Sequence, residues 1–510
     1  MSRIENSQRN VIYGFIGQFI KILVKFTLRT IVIYILGAVY LGLDGLFLNV
    51  ISILSLAELG IGDAVCFALY KPIADGDKEK INSYMLFYKR IYIIIGFIIL
   101  LLGIILVPFL QYLVNFDYEI KVNYYLIYFM FLTNTVLSYW FGAYRQVLLI
   151  ANQQSYIINK IDNIILVINA ILQAFVLMVF QNYYLYLFVM IITGIVKNVI
   201  IFIISGKSFP FINKKEGKGL EKKEKTEFIK NIYALALTKI SSTIYTSSDN
   251  LIISTFVGTI IVGYYSNYSY IVASITGFIS ILFSSVVAGI GNINAEKDYK
   301  YMYVVFKRMC FINFWIYGFC FICFWQLLSP FIRIWAGAEY ILPEQTVFVI
   351  VLMFLIPGLN HTCTIYRAAC GLFWQTRYRT LITAVINIIV SVLLVRQLGL
   401  MGVFLGTIIS YLLTTFLVDP SVIYKEIFKN SSKEFYLWYI KSFFIILLTG
   451  SIVKLLCSFI IISGIIGFII QMLVCVLVSN TIFYVLYKND ENLNYYNNIF
   501  KNILINRKGR

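Results

Sequence analysis

The fold is decided by residues 10–37, which read NVIYGFIGQFIKILVKFTLRTIVIYILG. As a helix rising about 1.5 Å per residue, this stretch crosses a hydrocarbon core roughly 30 Å thick. It carries Lys21, Lys25 and Arg29, whose i, i+4, i+8 spacing puts them on one face. Three such charges facing lipid would cost roughly 7–10 kcal/mol, at about 2.5–3.5 kcal/mol each. We therefore expect this face, the cationic ladder, to meet a water-filled cavity or a protein partner.

The whole chain has the composition of a membrane protein. Its 510 residues are 60% hydrophobic and 13% charged, with a mean hydropathy of +0.84. Apolar runs of about 20 residues recur from end to end without the alternation that is typical of barrel strands. The composition therefore predicts an all-α polytopic membrane protein and excludes a soluble domain.

Basic residues concentrate in the loops and account for a net charge of +18. The most basic loop runs from Lys207 to Lys230 and holds eight lysines against four glutamates. Because positive loops stay in the cytoplasm, we expect this loop and both termini to be cytoplasmic. The positive charge of the loops then sets the membrane topology and contacts membrane lipid. We expect no nucleic-acid partner.

The apolar runs predict about 14 transmembrane helices. Their approximate ranges are 10–37, 43–69, 84–110, 121–149, 157–180, 183–205, 228–257, 262–290, 304–329, 342–369, 379–396, 401–424, 437–460 and 463–487.

Several sequence patterns of the first half of the chain recur in the second half. The pattern Y-R-x7-Q-x2-Y begins at Tyr144 and again at Tyr366, an offset of 222. Two further matches have nearly the same offset: Gly37 and Gly42 with Gly258 and Gly263, and Lys89-Arg90 with Lys307-Arg308. Because the shift equals six helices, both copies keep the same topology, as in transporters built from parallel repeats. We predict two pseudo-symmetric six-helix lobes around a central cavity, plus two C-terminal helices.

The corresponding domain boundaries follow from the repeat and the loops. We predict an N-terminal six-helix lobe (1–206), a basic cytoplasmic linker (207–227), a C-terminal six-helix lobe (228–430), two extra transmembrane helices (431–487) and a cytoplasmic tail (488–510).

Six basic residues are candidates for binding a phosphate-bearing group, since Lys and Arg are its natural partners. The ladder comes first, and its alternative is internal neutralisation by nearby acids or snorkelling to an interface. The other candidates are Arg145 and Arg367, which are matched in the repeat and whose alternative role is to cap helix ends, and Lys239 of the seventh span.

Three acids accompany these cations. Glu58 and Asp63 of the second span and Asp249 of the seventh are candidates for counter-ions or for ion coupling, since intramembrane ionisable residues are typically paired or functional. We expect no catalytic residue, cofactor or metal: there is no P-loop, the single His361 cannot build a metal site, and the eight cysteines lie in apolar segments. The sequence therefore does not favour an enzyme.

Several stretches resemble the Wzx-like polysaccharide flippases, the O-antigen and capsule repeat-unit transporters of the multidrug/oligosaccharidyl-lipid/polysaccharide exporter superfamily. These stretches are LAELGIGDAVCFALYKPIA, YWFGAYRQVLLIANQQSYI, SSVVAGIGNINAEKD, FIRIWAGAEYIL and IYRAACGLFWQTRYRTLITAVINIIVSVLL. The resemblance covers nearly the whole chain. It implies a flippase that moves undecaprenyl-pyrophosphate-linked oligosaccharides from the inner to the outer leaflet of the bacterial cytoplasmic membrane by alternating access. A polysaccharide polymerase or a glycosyltransferase is the partner that it suggests.

Three other functions stay open at this point. A cation-coupled multidrug exporter of the same superfamily would favour an acidic cavity, against which the ladder argues. A membrane polysaccharide polymerase or ligase would favour a large outer loop, whereas the large loops here are the basic ones that we place inside. An assembly protein without transport is disfavoured by the repeat and by the intramembrane charges.

Overall fold

The structure is a computed structural model. It describes residues 3–58, 61–114, 122–152, 154–213, 243, 247–296, 299–372, 375–460, 462 and 464–498. Every element of regular structure among these residues is helical, as the apolar runs predict.

Twenty α-helices, some of them joined by short 3₁₀ or π segments, are found among the described residues. They are α1 (Arg3–Ile35), α2 (Ala38–Leu54), α3 (Ile61–Ala74), α4 (Lys78–Leu106), α5 (Leu110–Leu113), α6 (Tyr124–Trp140), α7 (Gln146–Ala151), α8 (Ser155–Phe180), α9 (Tyr183–Ser208), α10 (247–256), α11 (Thr259–Glu296), α12 (Tyr299–Trp335), α13 (Glu344–Leu359), α14 (His361–Ala369), α15 (Arg379–Leu398), α16 (Leu400–Leu413), α17 (Thr415–Ile423), α18 (Lys433–Ser458), α19 (Gly464–Tyr487) and α20 (491–498).

The helices confirm the prediction of an all-α polytopic membrane protein. Within the described residues, eight helical stretches are long and apolar enough to cross a membrane, or up to ten when two bent pairs are each taken as one span. Each of the fourteen predicted spans coincides with one helix or with a consecutive pair, although the seventh is described only from residue 247.

The chain forms two compact units, Met1–Ser266 and Asn267–Arg510, and the boundary falls within α11. In the first unit α1 packs on α8, α8 packs on α9, and α6 packs on both α4 and α9. The core of this unit includes Leu43, Phe47, Tyr88 and Tyr128, all of which are almost completely buried.

The second unit is built on α12, which packs against α13, α18 and α19. Its aromatic side chains fill this packing: Phe314 lies 5.0 Å from Phe483, and Phe306 lies 5.0 Å from Tyr366, between ring centroids. The two C-terminal helices α18 and α19 thus belong to the second unit. The basic segment 214–242 lies outside the described residues, so the predicted linker and domain boundaries stay predictions.

Among the residues that the structure describes, each repeat contains one bent helix pair. In the first, α6 and the segment 143–151 meet at 50°, after Gly142 takes the left-handed backbone conformation (φ 82°) that glycine allows at no steric cost. In the second, α13 and α14 meet at 40°. The repeated Y-R motif follows the break in both, so the duplicated sequence produces a similar local shape.

Candidate functional site

One continuous helix, α1, presents the cationic ladder. Lys21 and Lys25 are exposed and Arg29 is half-buried, and the charges of Lys21 and Arg29 both act on Lys25. Leu28, Val32 and Ile33 of the same helix are buried. Val32 and Ile33 follow Arg29 by three and four residues, so the side of α1 that carries the ladder becomes buried beyond Arg29. The sequence has no acidic residue between Glu5 and Asp44, so α1 supplies no counter-ion of its own past its first turn.

Arg29 is held by partners at the end of the ladder. Its guanidinium donates a hydrogen bond to Ser266, whose hydroxyl in turn donates to the carbonyl of Gly263 at 2.7 Å. The charge of Arg29 also acts on the carboxylate of Asp44 in α2. Arg29 is therefore fixed in direction, and Asp44 is an acid placed to balance it.

Asp44 was not among the residues predicted from the sequence. It accepts a hydrogen bond from the hydroxyl of Tyr183, and that ring stacks on Tyr186 with 5.6 Å between centroids. A signal for Asp44 was present: it is an ionisable residue within an apolar helix, the kind of position that is typically paired or functional.

Glu58 has a different environment from the one expected of a ladder counter-ion. It accepts hydrogen bonds from Tyr92 at 2.8 Å and from Tyr139 at 3.0 Å. These bonds connect the turn after α2 to α4 and α6. The side chain of Asp63 lies outside the described residues, so its predicted role stays a prediction.

A polar cavity of about 370 Å³, the unit 1 cavity, lies among α1, α6, α8 and α9, and Lys21 forms part of its wall. The wall is rich in side-chain amides, which are those of Gln18, Asn134, Asn159, Asn163 and Asn169. Sequence reasoning missed this cavity. The signal is the spacing of residues 159, 162, 163 and 169 in SYIINKIDNIILVINA, which places a polar stripe along one side of α8.

Hydrogen bonds between α8 and α9 fix one wall of the cavity. Thr193 donates to Asn169 at 2.8 Å, and Asn169 donates to Gln173 at 2.7 Å. Beside them, Lys197 of α9 and Asp162 of α8 form an ion pair at 3.3 Å. The cavity thus contains one carboxylate that already has a cationic neighbour.

Arg145 is buried and fastened to protein groups. Its guanidinium donates to the carbonyl of Phe202 at 3.1 Å and lies 3.5 Å from the centroid of the Phe202 ring. These contacts tie the bend after α6 to α9, and only 5% of Arg145 is exposed.

Arg367, the repeat-related residue, contacts an acid that the sequence analysis did not single out. Its Nε lies 3.7 Å from Asp419, and it donates to Thr376 at 3.2 Å. Arg379 also forms an ion pair with Asp419, which is fully buried. Two arginines thus converge on one carboxylate within the second unit.

The remaining candidates are Lys239, which lies outside the described residues, and Asp249, which is buried in α10 with 8% exposure. The structure thus brings the three ladder cations together on α1. It places Arg145, Arg367 and Glu58 in separate networks.

Comparison with known proteins identifies the fold of this chain. No family model matches the chain, and no curated protein matches it. Among solved structures, the lipid II flippase MurJ in an inward closed conformation has a TM-score of 0.67 and 18% identity, covering 94% of this chain and 99% of MurJ. A point mutant of the Vibrio cholerae MATE transporter VcmN has a TM-score of 0.56 and 14% identity, covering 83% of this chain and 98% of VcmN.

A third structure is a MOP-superfamily transporter from Pyrococcus furiosus whose binding pocket is described as reversed in polarity. It has a TM-score of 0.54 and 12% identity, and the match covers 82% of this chain and 95% of that one. At these identities the likeness concerns the fold. The chain therefore has the polytopic helical membrane fold that is also found in MurJ and in the MATE transporters.

Proposed function

We propose that the protein is a flippase for lipid-linked oligosaccharides. Its substrate is an oligosaccharide on undecaprenyl pyrophosphate, moved from the inner to the outer leaflet of the bacterial cytoplasmic membrane by alternating access, for capsule, O-antigen or exopolysaccharide synthesis. One observation carries the proposal: three cations share one face of α1 in a transporter fold, on a helix with no acid between Glu5 and Asp44.

The ladder suits a pyrophosphate group for reasons of charge and geometry. Charge-assisted hydrogen bonds from Lys and Arg to phosphate are among the strong ones. Lys21 and Lys25 lie about 6 Å apart along the helix axis, one turn of α1, so their flexible side chains can both reach one pyrophosphate. Pairing the anion in this way reduces the cost of carrying it through a low-dielectric region.

Asp44 is a counter-charge for the ladder when no substrate is bound. Its carboxyl group is held by Tyr183 and lies within the electrostatic influence of Arg29, so we expect it to offset one ladder charge in the resting protein. An incoming pyrophosphate competes with Asp44 for Arg29, and release of the substrate restores that interaction. Substrate exchange therefore leaves no bare charge on Arg29.

The same observation disfavours an exporter of cationic drugs. Such a substrate needs acidic partners, whereas the ladder contributes three positive charges on one face. Glu58, Asp63 and Asp249 remain our candidates for coupling to an ion gradient, in which one charge moved through 100 mV supplies about 2.3 kcal/mol.

The amount of surface glycan on living cells is the measurement that tests the proposal. We would express Lys21→Ala, Lys25→Ala and Arg29→Ala separately in a strain lacking its own copy, and quantify surface glycan, inner-membrane lipid-linked repeat units and protein level. Lost surface glycan with accumulated repeat units at normal protein level is the expected result. Lys207→Ala, a lysine at the end of α9 outside the ladder, is the matched control. Normal export by all three ladder variants would overturn the proposal.

A further inference from the structure

We propose that the unit 1 cavity binds the sugar residue attached directly to the pyrophosphate. This proposal rests on the proposed function and assigns the cavity one neutral, hydroxyl-bearing hexose or N-acetylhexosamine unit. The cavity would then contribute to which oligosaccharide the protein accepts.

Lys21 connects the two parts of the substrate. It is a member of the cationic ladder and also forms part of the cavity wall. Gln18 and Gly17, one helical turn before it on α1, line the cavity as well. We place the sugar end of a pyrophosphate held at Lys21 and Lys25 on the Lys21 side, about one turn, roughly 5 Å, from these positions. In the lipid-linked substrate the first sugar follows the pyrophosphate directly, in the same order.

The side chains of the cavity have the chemistry that sugars need. A side-chain amide offers both donors and an acceptor, which matches hydroxyl and acetamido groups that also do both. Within the part of the chain that the structure describes, no protein hydrogen bond is formed by the amides of Gln18, Asn134, Asn159 or Asn163. These groups are therefore available to a ligand.

Two glycines, which have no side chain, leave space for two of these amide groups. A Cβ on Gly17 would lie 2.8 Å from the amide of Asn163, and a Cβ on Gly194 would lie 3.2 Å from the Asn134 oxygen. Real Cβ contacts are essentially never as short as the first of these. The glycines of α1 and α9 thus let amides from α8 and α6 extend across the cavity.

The charges and the volume of the unit 1 cavity favour a single neutral sugar as its ligand. Asp162 and Lys197 form an ion pair across the wall at 3.3 Å, so their charges largely cancel, and the carboxylate is less suited to a metal cation than an unpaired one. Apolar groups of Ile165, Leu166 and Met190 complete the lining and can contact the C–H face of a ring. A volume of about 370 Å³ lies near the lower end of ligand pockets, which run from about 300 to 1,000 Å³. This volume has room for one sugar unit.

Calorimetry on the purified full-length protein in lipid nanodiscs tests this assignment. The probes are geranyl pyrophosphate and four geranyl pyrophosphates that carry glucose, galactose, N-acetylglucosamine or N-acetylgalactosamine. We expect at least one sugar-bearing probe to bind at least about fivefold more tightly than geranyl pyrophosphate, the gain from a few new hydrogen bonds. If no sugar-bearing probe gains affinity, the assignment is overturned.

Two cavity variants test whether that gain arises in the cavity. Asn134→Leu combined with Asn163→Leu removes two amides, and Leu166→Trp fills the space while it keeps them. In either variant the affinity ratio between sugar-bearing and bare probe should fall to about one. Asn430→Leu, the same kind of change in an exposed loop of the second unit, is the control and should keep the wild-type ratio. A cavity variant that folds and keeps the ratio would place the sugar elsewhere.

The failure of this proposal is separable from the failure of the proposed function. Lys25→Met removes a ladder charge that is not part of the cavity wall. It should weaken the bare and sugar-bearing probes by the same factor and leave their ratio unchanged. If Lys25→Met changes neither affinity, the pyrophosphate site fails, whereas an unaltered ratio in the cavity variants refutes only the sugar site.

Discussion

Gly42 and Gly263 lie against each other where α2 and α11 begin. A Cβ on Gly263 would come within 3.0 Å of the Gly42 nitrogen and 2.6 Å of the Ala38 carbonyl oxygen, and a Cβ on Gly42 would overlap the carbonyl of Thr259. The two glycines are 221 residues apart, the offset of the internal repeat. Equivalent positions of the two repeats therefore form one backbone-to-backbone crossing, which only glycine permits.

This crossing predicts that Gly42→Ala and Gly263→Ala each destabilise the protein by about 1–3 kcal/mol, because the added methyl group must displace backbone. Thermal melting of the purified protein in detergent, followed by loss of the monodisperse peak, measures the effect. Gly45→Ala is the graded control, since its Cβ would meet only the Cγ1 atom of Val262, at 3.0 Å. Equal melting temperatures for Gly42→Ala, Gly45→Ala and wild type would show that the helices do not cross so closely.

Asp44 is predicted to compete with the substrate for Arg29. Asp44→Asn removes the opposing charge and should strengthen binding of geranyl pyrophosphate by roughly tenfold, about 1.4 kcal/mol. Because the resting balance of Arg29 is lost, release should slow and transport in proteoliposomes should fall. The two readouts, affinity and transport rate, therefore move in opposite directions.

Tyr183→Phe is the matched control for Asp44. It removes the hydroxyl that donates to the carboxylate and leaves the charge in place. The affinity for geranyl pyrophosphate should then stay near the wild-type value. Weaker binding in Asp44→Asn than in wild type would contradict the competition and make Asp44 a group that supports substrate binding.

Asp419 is predicted to be a structural residue of the second unit. Asp419→Asn leaves Arg367 and Arg379 without their shared carboxylate, and such an uncompensated buried charge costs about 3–5 kcal/mol. We expect poor yield and a clearly lower melting temperature. The double variant Asp419→Asn with Arg379→Gln should recover part of the loss, since it removes one of the stranded charges. An undiminished melting temperature in Asp419→Asn would show that the two arginines are neutralised by other groups.

Features with a local origin were predictable from the sequence. The spans and the ladder depend only on hydrophobicity and on the 3.6-residue period of one helix, and the structure contains a continuous helix through Lys21, Lys25 and Arg29. The repeat was readable because Y-R motifs and glycines kept their offset. Each of the two Y-R motifs follows the break in a bent helix pair.

The polar partners depend on the tertiary fold and were harder to predict. Asp44 contacts Tyr183 at a separation of 139 residues, and Asp419 contacts Arg379 at a separation of 40. No sequence period connects such residues. The unit 1 cavity is an intermediate case: the polar stripe on α8 was visible in the sequence, but the facing amides of α1 and α6 were not connected to it.

The most direct test of the central claim is the affinity of the purified protein for geranyl pyrophosphate at two salt concentrations, measured for wild type and for Lys21→Met, Lys25→Met and Arg29→Met. If the ladder binds the pyrophosphate, each substitution should weaken binding by about tenfold or more, as expected for loss of a charge-assisted hydrogen bond of about 1.5–3 kcal/mol. Each should also reduce the dependence of binding on salt. Lys207→Met should change neither quantity. Wild-type affinity and salt dependence in all three ladder variants would contradict the account.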